Sequence, residues 1–268
     1  MAGDGQSRLN DGAGRTLAAS KAVRADLADA VLCEDDRLMP TDFTASMSSD
    51  PTERAYAAFL FDMDGTILSS IAAAERVWTR WALRHGLDVA TFLPTIHGMR
   101  CVETVRRLNL PGVDPQAEAE AITREELDDV EGIVAIDGVS AFLASLPADR
   151  WAVVTSAPRE LARLRIAAAG LPMPPLLIAA EDVTRGKPQP DCFELAGARL
   201  GVRAQDCLVF EDAPAGIAAA ESAGADVLMI TATHAHPAAT PHASARDYAA
   251  LAVRIDADGR LRLASIAP

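Results

Sequence analysis

The sequence predicts an α/β fold: a doubly wound parallel sheet core with an inserted helical cap domain. Short apolar runs of strand length alternate with helical patterns along most of the chain. Glycines follow the helical patterns where helix C-caps are expected. Between the first and second apolar runs only helical patterns occur, which predicts an inserted unit rather than another part of the sheet.

Composition excludes several classes of protein. The chain has 268 residues, 50% of them hydrophobic, so it can bury a substantial core. Asp and Glu outnumber Lys and Arg by 38 to 25, and this acidic balance argues against a nucleic acid partner. We expect a cytoplasmic protein with no membrane partner, because no apolar run approaches the ~20 residues that span a bilayer and no secretory signal is evident. Nothing in the sequence indicates the oligomeric state.

Residues 1–54 differ from the rest of the chain. They are rich in Gly, Asp, Ser and Thr, and Pro40 and Pro51 interrupt them. We interpret them as a poorly ordered extension. A regulatory or docking tail is the alternative, and Met47 is an alternative translation start.

The core domain is predicted at 55–69 and 138–268. Its strands correspond to apolar runs at 57–61, 151–154, 176–179, 208–210 and 227–230. Crossover helices are predicted at 158–169, 191–200 and 214–223. Alternating residues at 253–255 and 261–263 flank a turn-like segment, which predicts a hairpin at a sheet edge.

Residues 70–137 form the predicted cap. Helical patterns occur at 71–85, 100–108 and 117–130, and no strand is predicted among them. The chain is then expected to return to the core near Gly138.

Residues with complementary chemistry follow four of the predicted strands. In chain order they are Asp62, Asp64, Gly65, Thr155, Ser156, Lys187, Glu211 and Asp212. Ligands of open parallel sheets bind outside the carboxyl ends of the strands, so we expect these residues to meet at one edge. One polar residue at a strand end is usually a turn former or a helix cap. Four complementary ends indicate an active site.

These residue types fit phosphoryl transfer from an ester. Mg²⁺ prefers oxygen ligands, which the carboxylates of Asp62 and Asp212 and the main-chain carbonyl of Asp64 can supply. The other oxygen of Asp62 is then free to attack phosphorus and form an aspartyl-phosphate. Asp64 can protonate the leaving alcohol and later activate water.

The remaining residues of the set can bind the phosphate group. Gly65 permits a tight turn in which its N–H approaches the phosphate. Thr155, with Ser156 beside it, can donate a hydroxyl to a phosphate oxygen, and Lys187 can neutralise charge beside the nucleophile.

The motifs resemble those of the haloacid dehalogenase superfamily, and the resemblance covers residues 57–231. It rests on FDMDGT at 61–66, VTS at 154–156, GKP at 186–188 and FED at 210–212. The resemblance implies the following roles: nucleophile Asp62, acid/base Asp64, phosphate-binding hydroxyl Thr155, stabilising lysine Lys187, metal ligand Asp212, and support of the metal site, directly or through water, by Glu211.

The resemblance also narrows the class. Dehalogenases of the superfamily lack the second aspartate and need no metal, whereas Asp64, Glu211 and Asp212 are all present here. The helical insertion resembles the cap of the sugar and polyol phosphatases. Residues 97–100 resemble the cap loop of glycerol-phosphate and deoxyglucose-phosphate phosphatases, which makes Arg100 a candidate for substrate binding. The alternative is a turn within the cap that carries a solvated arginine.

The sequence therefore predicts a magnesium-dependent phosphatase that acts on a small sugar or polyol phosphate. A sugar phosphomutase of the same superfamily is one alternative. Mutases of this branch often have a histidine on the first cap helix, near the position of Ala74, and this difference favours hydrolysis. A non-enzymatic sensor of a phosphorylated ligand is the other alternative.

Overall fold

A computed structural model describes residues 50–235 and 240–265. The expectations for residues 1–49 lie outside these ranges. All described residues belong to one compact unit. None of the helices in the described part of the chain has the length and apolar character needed to cross a bilayer.

A parallel sheet forms the centre of the fold. Its strands are β2 (Ala58–Phe61), β5 (Trp151–Val154), β6 (Leu177–Ile178), β7 (Cys207–Glu211), β8 (Asp226–Ile230) and β9 (Ala243–Ala245). They lie in the order β6-β5-β2-β7-β8-β9, and every neighbouring pair is parallel. This arrangement confirms the predicted α/β class. Because β2 lies between β5 and β7, the residue that follows β2 is at the middle of the carboxyl edge.

Helices cover both faces of the sheet. They are α5 (Val139–Ala144), α6 (Arg159–Ala168), α7 (Asp191–Arg199) and α8 (Pro214–Ser222). Successive residues of a strand point to opposite faces. Phe59 and Phe61 of β2 therefore pack with residues of α5 and α6, whereas Ala58 and Leu60 pack with residues of α7 and α8. Burying each large apolar side chain contributes roughly 1.5–3 kcal/mol, which explains why β2 is apolar throughout.

Residues 70–137, called the helical segment here, contain α1 (Ile71–Arg84), α2 (Val89–Phe92), α3 (Cys101–Leu108) and α4 (Pro115–Leu127). They share an apolar cluster that includes Trp78, Trp81 and Phe92. The start of α4 is favoured by Asp114, whose side chain accepts a hydrogen bond from the N–H of Gln116. The division of the chain into core and cap domains stays a prediction.

The strands outside the central sheet differ from the predictions. β10 (Leu251–Ile255) and β11 (Leu261–Ser265) form the predicted hairpin. With β1 (Ala55–Tyr56) they make a separate three-stranded sheet instead of an edge of the central one. In addition, β4 (Val134–Ala135) pairs with β3 (Leu68–Ser69), where no strand was expected. Strands of two residues are too short to show a hydrophobic period.

Candidate active site

The carboxyl edge of the sheet brings the predicted acids and the lysine together. Asp62 follows β2, and Glu211 is the last residue of β7, the neighbouring strand. The main-chain N–H of Asp62 donates to the carbonyl of Phe210 at 2.9 Å, which continues the ladder up to the site. Lys187 arrives from the loop between β6 and α7.

Lys187 is almost fully buried among these acids. Its Nζ donates to Asp62 Oδ1 at 2.5 Å, to Glu211 Oε1 at 2.7 Å and to the carbonyl of Val154 at 3.2 Å. It also lies 5.2 Å from the ring centre of Phe193. Burial alone would lower the pKa of Lys187, but the charges of Asp62 and Glu211 outweigh it and raise the pKa. The ammonium group therefore stays charged.

Three buried carboxylates meet beside this ammonium. Asp62, Glu211 and Asp212 each have a ligand oxygen within 4.8 Å of the others. Burial raises the pKa of Asp62 to about 8, although the charge of Lys187 opposes this shift. Burial and the charges of Glu211 and Asp62 hold the pKa of Asp212 well above its ordinary value. One ammonium cannot balance three carboxylates, and hard oxygen donors of this kind fit Mg²⁺.

Hydrogen bonds within the cluster separate the roles of its acids. Glu211 uses Oε1 for Lys187 and accepts at Oε2 from the N–H groups of Asp212 and Ala213, both at 2.8 Å. Both of its oxygens are thus engaged by protein donors. Asp212 Oδ1 accepts from Thr66 Oγ1 at 3.1 Å. The geometry makes Asp62 and Asp212 better candidates for metal ligands than Glu211.

The cleft next to the cluster contains other predicted residues. Asp64, Thr155 and Ser156 line it together with Asp62. Thr155 Oγ1 accepts from the N–H of Ala157 at 3.1 Å, so its hydroxyl proton is available for a ligand. Ser156 Oγ donates to the carbonyl of Gly98 at 3.1 Å and thereby contacts the helical segment.

Gly65 and Arg100, which the sequence predicts to contact the substrate, make hydrogen bonds to other parts of the protein. The N–H of Gly65 donates to the carbonyl of Leu68 at 2.7 Å, within the turn that this residue makes at φ +91°. Arg100 pairs with Glu103 and donates to the carbonyls of Val183 and Thr184 at 3.4 and 3.1 Å. Arg100 is not among the residues that line the cleft.

Four glycines border the site so closely that a Cβ would overlap a neighbouring group. At Gly98 it would lie 2.6 Å from the Cβ of Ala213, and at Gly186 it would lie 2.6 Å from Nε of Arg100. A Cβ at Gly65 would overlap the carboxylate of Asp212, and a Cβ at Gly216 would overlap the carboxylate of Glu211.

Sequence reasoning missed several residues that line the cleft. The helical segment contributes Ser70, Trp78 and Glu126, and the core contributes Arg165; His97 also lines the cleft and belongs to the loop at 97–100 that the sequence had indicated. Burial lowers the pKa of His97. One signal for Arg165 was available, because its helix buries Leu161, Ala162 and Ile166 on the same face. Nothing comparable distinguishes Glu126, which belongs to a run of acids on α4.

A cleft lined by paired aspartates and a hydroxyl lies at the carboxyl edge of the parallel sheet, and a buried lysine contacts the first aspartate. Together with the α/β fold, this site defines a phosphoric monoester hydrolase. The family model of the haloacid dehalogenase-like hydrolases matches residues 56–224. The chain belongs to this family, as the sequence motifs predicted.

Relatives of known activity are similar over most of the chain. Hexitol phosphatase A of Escherichia coli is 41% identical over 187 residues, which cover 68% of this chain and 85% of that protein. Fructose-1-phosphate phosphatase YqaB of the same organism is 34% identical and covers 65% of this chain and 96% of its own length. Glycerol-1-phosphate phosphohydrolase 2 of Saccharomyces cerevisiae is 31% identical, with 70% and 79% covered.

Solved structures share the fold. CbbY from Rhodobacter sphaeroides, in complex with phosphate, superposes with a TM-score of 0.60 at 21% identity over 72% of this chain and 95% of that one. The β-phosphoglucomutase of Clostridium difficile gives a TM-score of 0.57 at 22% identity, with 65% and 84% covered. At these identities the likeness concerns the fold alone.

Proposed function

We propose that this chain is a magnesium-dependent phosphatase that hydrolyses a small sugar or polyol phosphate through an aspartyl-phosphate intermediate on Asp62. The observation that carries the proposal is the position of Asp62. Its Oδ1 is held 2.5 Å from Lys187 Nζ, at the centre of a buried acidic cluster and at the wall of an open cleft.

The metal would be held by the carboxylates of Asp62 and Asp212, with the main-chain carbonyl of Asp64 as a third donor. When bound, Mg²⁺ supplies positive charge that offsets the phosphate ester's repulsion of an anionic nucleophile. Glu211 supports this arrangement through Lys187 and through the N–H groups of its own loop.

Asp62 acts as the nucleophile. Lys187 fixes Oδ1, so Oδ2 is the oxygen left to attack phosphorus. Thr155 donates its hydroxyl to a phosphate oxygen as charge develops there. The charge of Lys187 opposes the effect of burial on the pKa of Asp62 and so favours its ionised form, and the hydrogen bond from Lys187 orients the carboxylate.

Asp64 transfers the protons. As the bond from Asp62 to phosphorus forms, the bond to the leaving oxygen breaks, and Asp64 gives that oxygen its proton. Asp64 then takes a proton from water, which attacks phosphorus and releases orthophosphate and free Asp62. Its position in the cleft, two residues after Asp62, supports both roles.

The substrate class is inferred from the relatives and from the cleft. The relatives reported above are named for hexitol, fructose 1-phosphate and glycerol 1-phosphate substrates. Trp78, His97 and Glu126 of the helical segment line the cleft. An aromatic face and polar groups suit a compact polyhydroxylated leaving group. In this proposal residues 70–137 form the cap of a core made of 55–69 and 138–268.

The test is a phosphate-release screen with purified full-length protein. The panel contains hexitol 6-phosphates, fructose 1-phosphate, glycerol 1-phosphate and 4-nitrophenyl phosphate, each with Mg²⁺ and with EDTA. We expect Mg²⁺-dependent release from the panel, with one polyol or sugar ester preferred. Absence of phosphate release from every ester would reject the proposal.

A phosphomutase is the second candidate, and His97 favours it. The sequence places no histidine near Ala74, but His97 lines the same cleft from the loop before α3, and burial favours its neutral form by lowering its pKa. A neutral imidazole there could accept a proton from a sugar hydroxyl. Isomerised sugar phosphate without net phosphate release would identify the mutase.

A further inference from the structure

Arg165 is a charged residue at a helix position where the pattern of neighbouring apolar residues predicts an apolar side chain. It lies on the buried face of α6 and is only 6% exposed. Removing a guanidinium from water is costly unless anions and hydrogen bonds replace its hydration. The groups around it therefore indicate its role.

Two carboxylates from different parts of the fold replace that hydration. Nη1 of Arg165 donates to Asp64 Oδ1 at 3.0 Å, and Nη2 lies 3.1 Å from Glu126 Oε1. Asp64 belongs to the loop after β2, whereas Glu126 is buried on α4 of the helical segment. Burial would lower the pKa of Arg165, but both acids outweigh it and raise the pKa. Arg165 therefore stays charged and connects the two parts.

Asp64 is held at one oxygen only. Ser70 Oγ donates to the same Oδ1 at 2.5 Å, so this oxygen has two donors. Within the described residues no hydrogen bond reaches Oδ2, and Asp64 lines the cleft. A carboxyl group with one oxygen fixed by two donors keeps the other oxygen in one orientation.

We propose that Arg165 is a positioning residue for proton transfer: it fixes Oδ1 of Asp64 so that Oδ2 faces the leaving oxygen, and Glu126 ties this arrangement to the helical segment. The inference rests on the proposed function, in which Asp64 gives a proton to the leaving alkoxide and later takes one from water. Arg165 itself neither gains nor loses a proton in either step.

The test uses three aryl phosphates of similar shape whose leaving groups differ in basicity: phenyl, 4-nitrophenyl and 2,4-dinitrophenyl phosphate. Phenolate needs a proton to leave well, whereas 2,4-dinitrophenolate leaves without one. The value of kcat/KM reports the step that expels the leaving group. Its dependence on leaving-group basicity therefore measures proton donation separately from binding.

Arg165→Met should lower kcat/KM for phenyl phosphate roughly 100-fold and that for 2,4-dinitrophenyl phosphate less than about threefold, since a general acid contributes about 10²–10⁴-fold. With the dinitrophenyl ester, Arg165→Met should also show a pre-steady-state burst of about one dinitrophenolate per enzyme. The burst is expected because Asp64, released from Oδ1, no longer activates water in the second step.

The matched control is Arg163→Met, the same substitution at an exposed position of the same helix, which should leave all three values unchanged. Arg165→Met leaves Glu126 buried without its partner. Arg165→Met combined with Glu126→Gln removes that charge, and it carries the test where the single variant does not fold. The altered dependence on leaving group should persist in the double variant.

Equal fractional losses on all three esters without a burst would overturn the inference, because a structural defect affects them alike. Return of the double variant to wild-type values would also overturn it, since the unpaired Glu126 would then be the cause. Failure of the proposed function looks different: wild-type protein would release no phosphate from any ester, or Asp62→Asn would remain active.

Discussion

The core side and the helical side of the cleft are built differently. On the core side, Asp62 and Glu211 follow or end neighbouring strands of one parallel sheet, and Lys187, from the loop before α7, donates hydrogen bonds to them of 2.5 and 2.7 Å. On the helical side, Trp78 and Glu126 come from different helices, and their positions depend on how those helices pack. Sheet topology therefore positions the acids and the lysine, and helix packing positions the side chains that line the cleft from the helical segment.

Among the variants of the core side, Asp62→Asn should cause the largest loss of activity. Asparagine has nearly the same size and can still accept from Lys187, but it cannot form the acyl phosphate. Phosphate release from the preferred ester should fall at least roughly 10³-fold, as expected when a nucleophile is lost. Asp149→Asn, at a side chain 78% exposed, is the control and should keep full activity. Substantial turnover by Asp62→Asn would contradict the assigned nucleophile.

Gly216→Ala tests whether the core side depends on close packing. A methyl group at this position would overlap the Glu211 carboxylate that holds Lys187. A displacement of about 1 Å can cost roughly 10²-fold in rate, and we expect kcat/KM to fall by about that factor.

The control for Gly216→Ala is Gly197→Ala on α7, where the added Cβ would meet main-chain atoms 3.0 Å away. It should lower the melting temperature without a comparable change in kcat/KM. Wild-type activity and melting temperature in Gly216→Ala would show that the site tolerates a shift of Glu211.

Arg100→Ala tests whether Arg100 contacts the substrate or only supports the neighbouring loop of the core. Arg100 donates to the carbonyls of Val183 and Thr184, close to Lys187 in the chain, and does not line the cleft. Loss of these contacts should displace the loop that carries Lys187 slightly and reduce kcat/KM roughly tenfold, equally for a polyol phosphate and for 4-nitrophenyl phosphate.

The exposed Arg106 on α3, the helix that follows Arg100, offers a control, and Arg106→Ala should have no effect. A much larger loss of Arg100→Ala on the polyol ester than on the aryl ester would assign Arg100 to the substrate, as the sequence suggested.

Tyr56→Phe should have the smallest effect. Tyr56 donates to Asp226 Oδ2 at 2.9 Å, just before β2 and at the end of the sheet opposite the site. Loss of this hydrogen bond to a carboxylate should lower the free energy of unfolding by about 1.5–3 kcal/mol and leave kcat/KM unchanged. Denaturant melts and steady-state rates measure the two quantities. A change in rate would show that the active site depends on a contact at the opposite end of the sheet.

The sequence allowed the core side to be predicted because each residue had a fixed relation to a strand end. Asp62, Thr155 and Glu211 follow from apolar runs and from the rule that parallel strands share one carboxyl edge. Lys187 could be assigned with its motif, although the sequence does not state that it would also bind Glu211.

The helical side could not be predicted in the same detail. Arg165 on the core helix α6 presents the same difficulty: its apolar neighbours indicate a buried face, but an arginine inside a helical pattern is usually solvated, and its burial depends on Glu126 from the helical segment. The partners of Arg100 depend on how the loop before α3 meets the core. The pairing of β3 with β4 is likewise a tertiary contact that has no period in the sequence.

The glycines at the border of the site restrict how this enzyme can diverge. At Gly65, Gly98 and Gly216 the neighbouring atoms leave room for a hydrogen and nothing larger, and at Gly186 a Cβ would displace the side chain of Arg100. Saturation mutagenesis should thus find these codons nearly closed to replacement. Codons for His97 and Met99, whose side chains line the cleft and are exposed or half-buried, should accept more alternatives. Selection for a new substrate would then change the residues that line the cleft, while the four glycines stay constant.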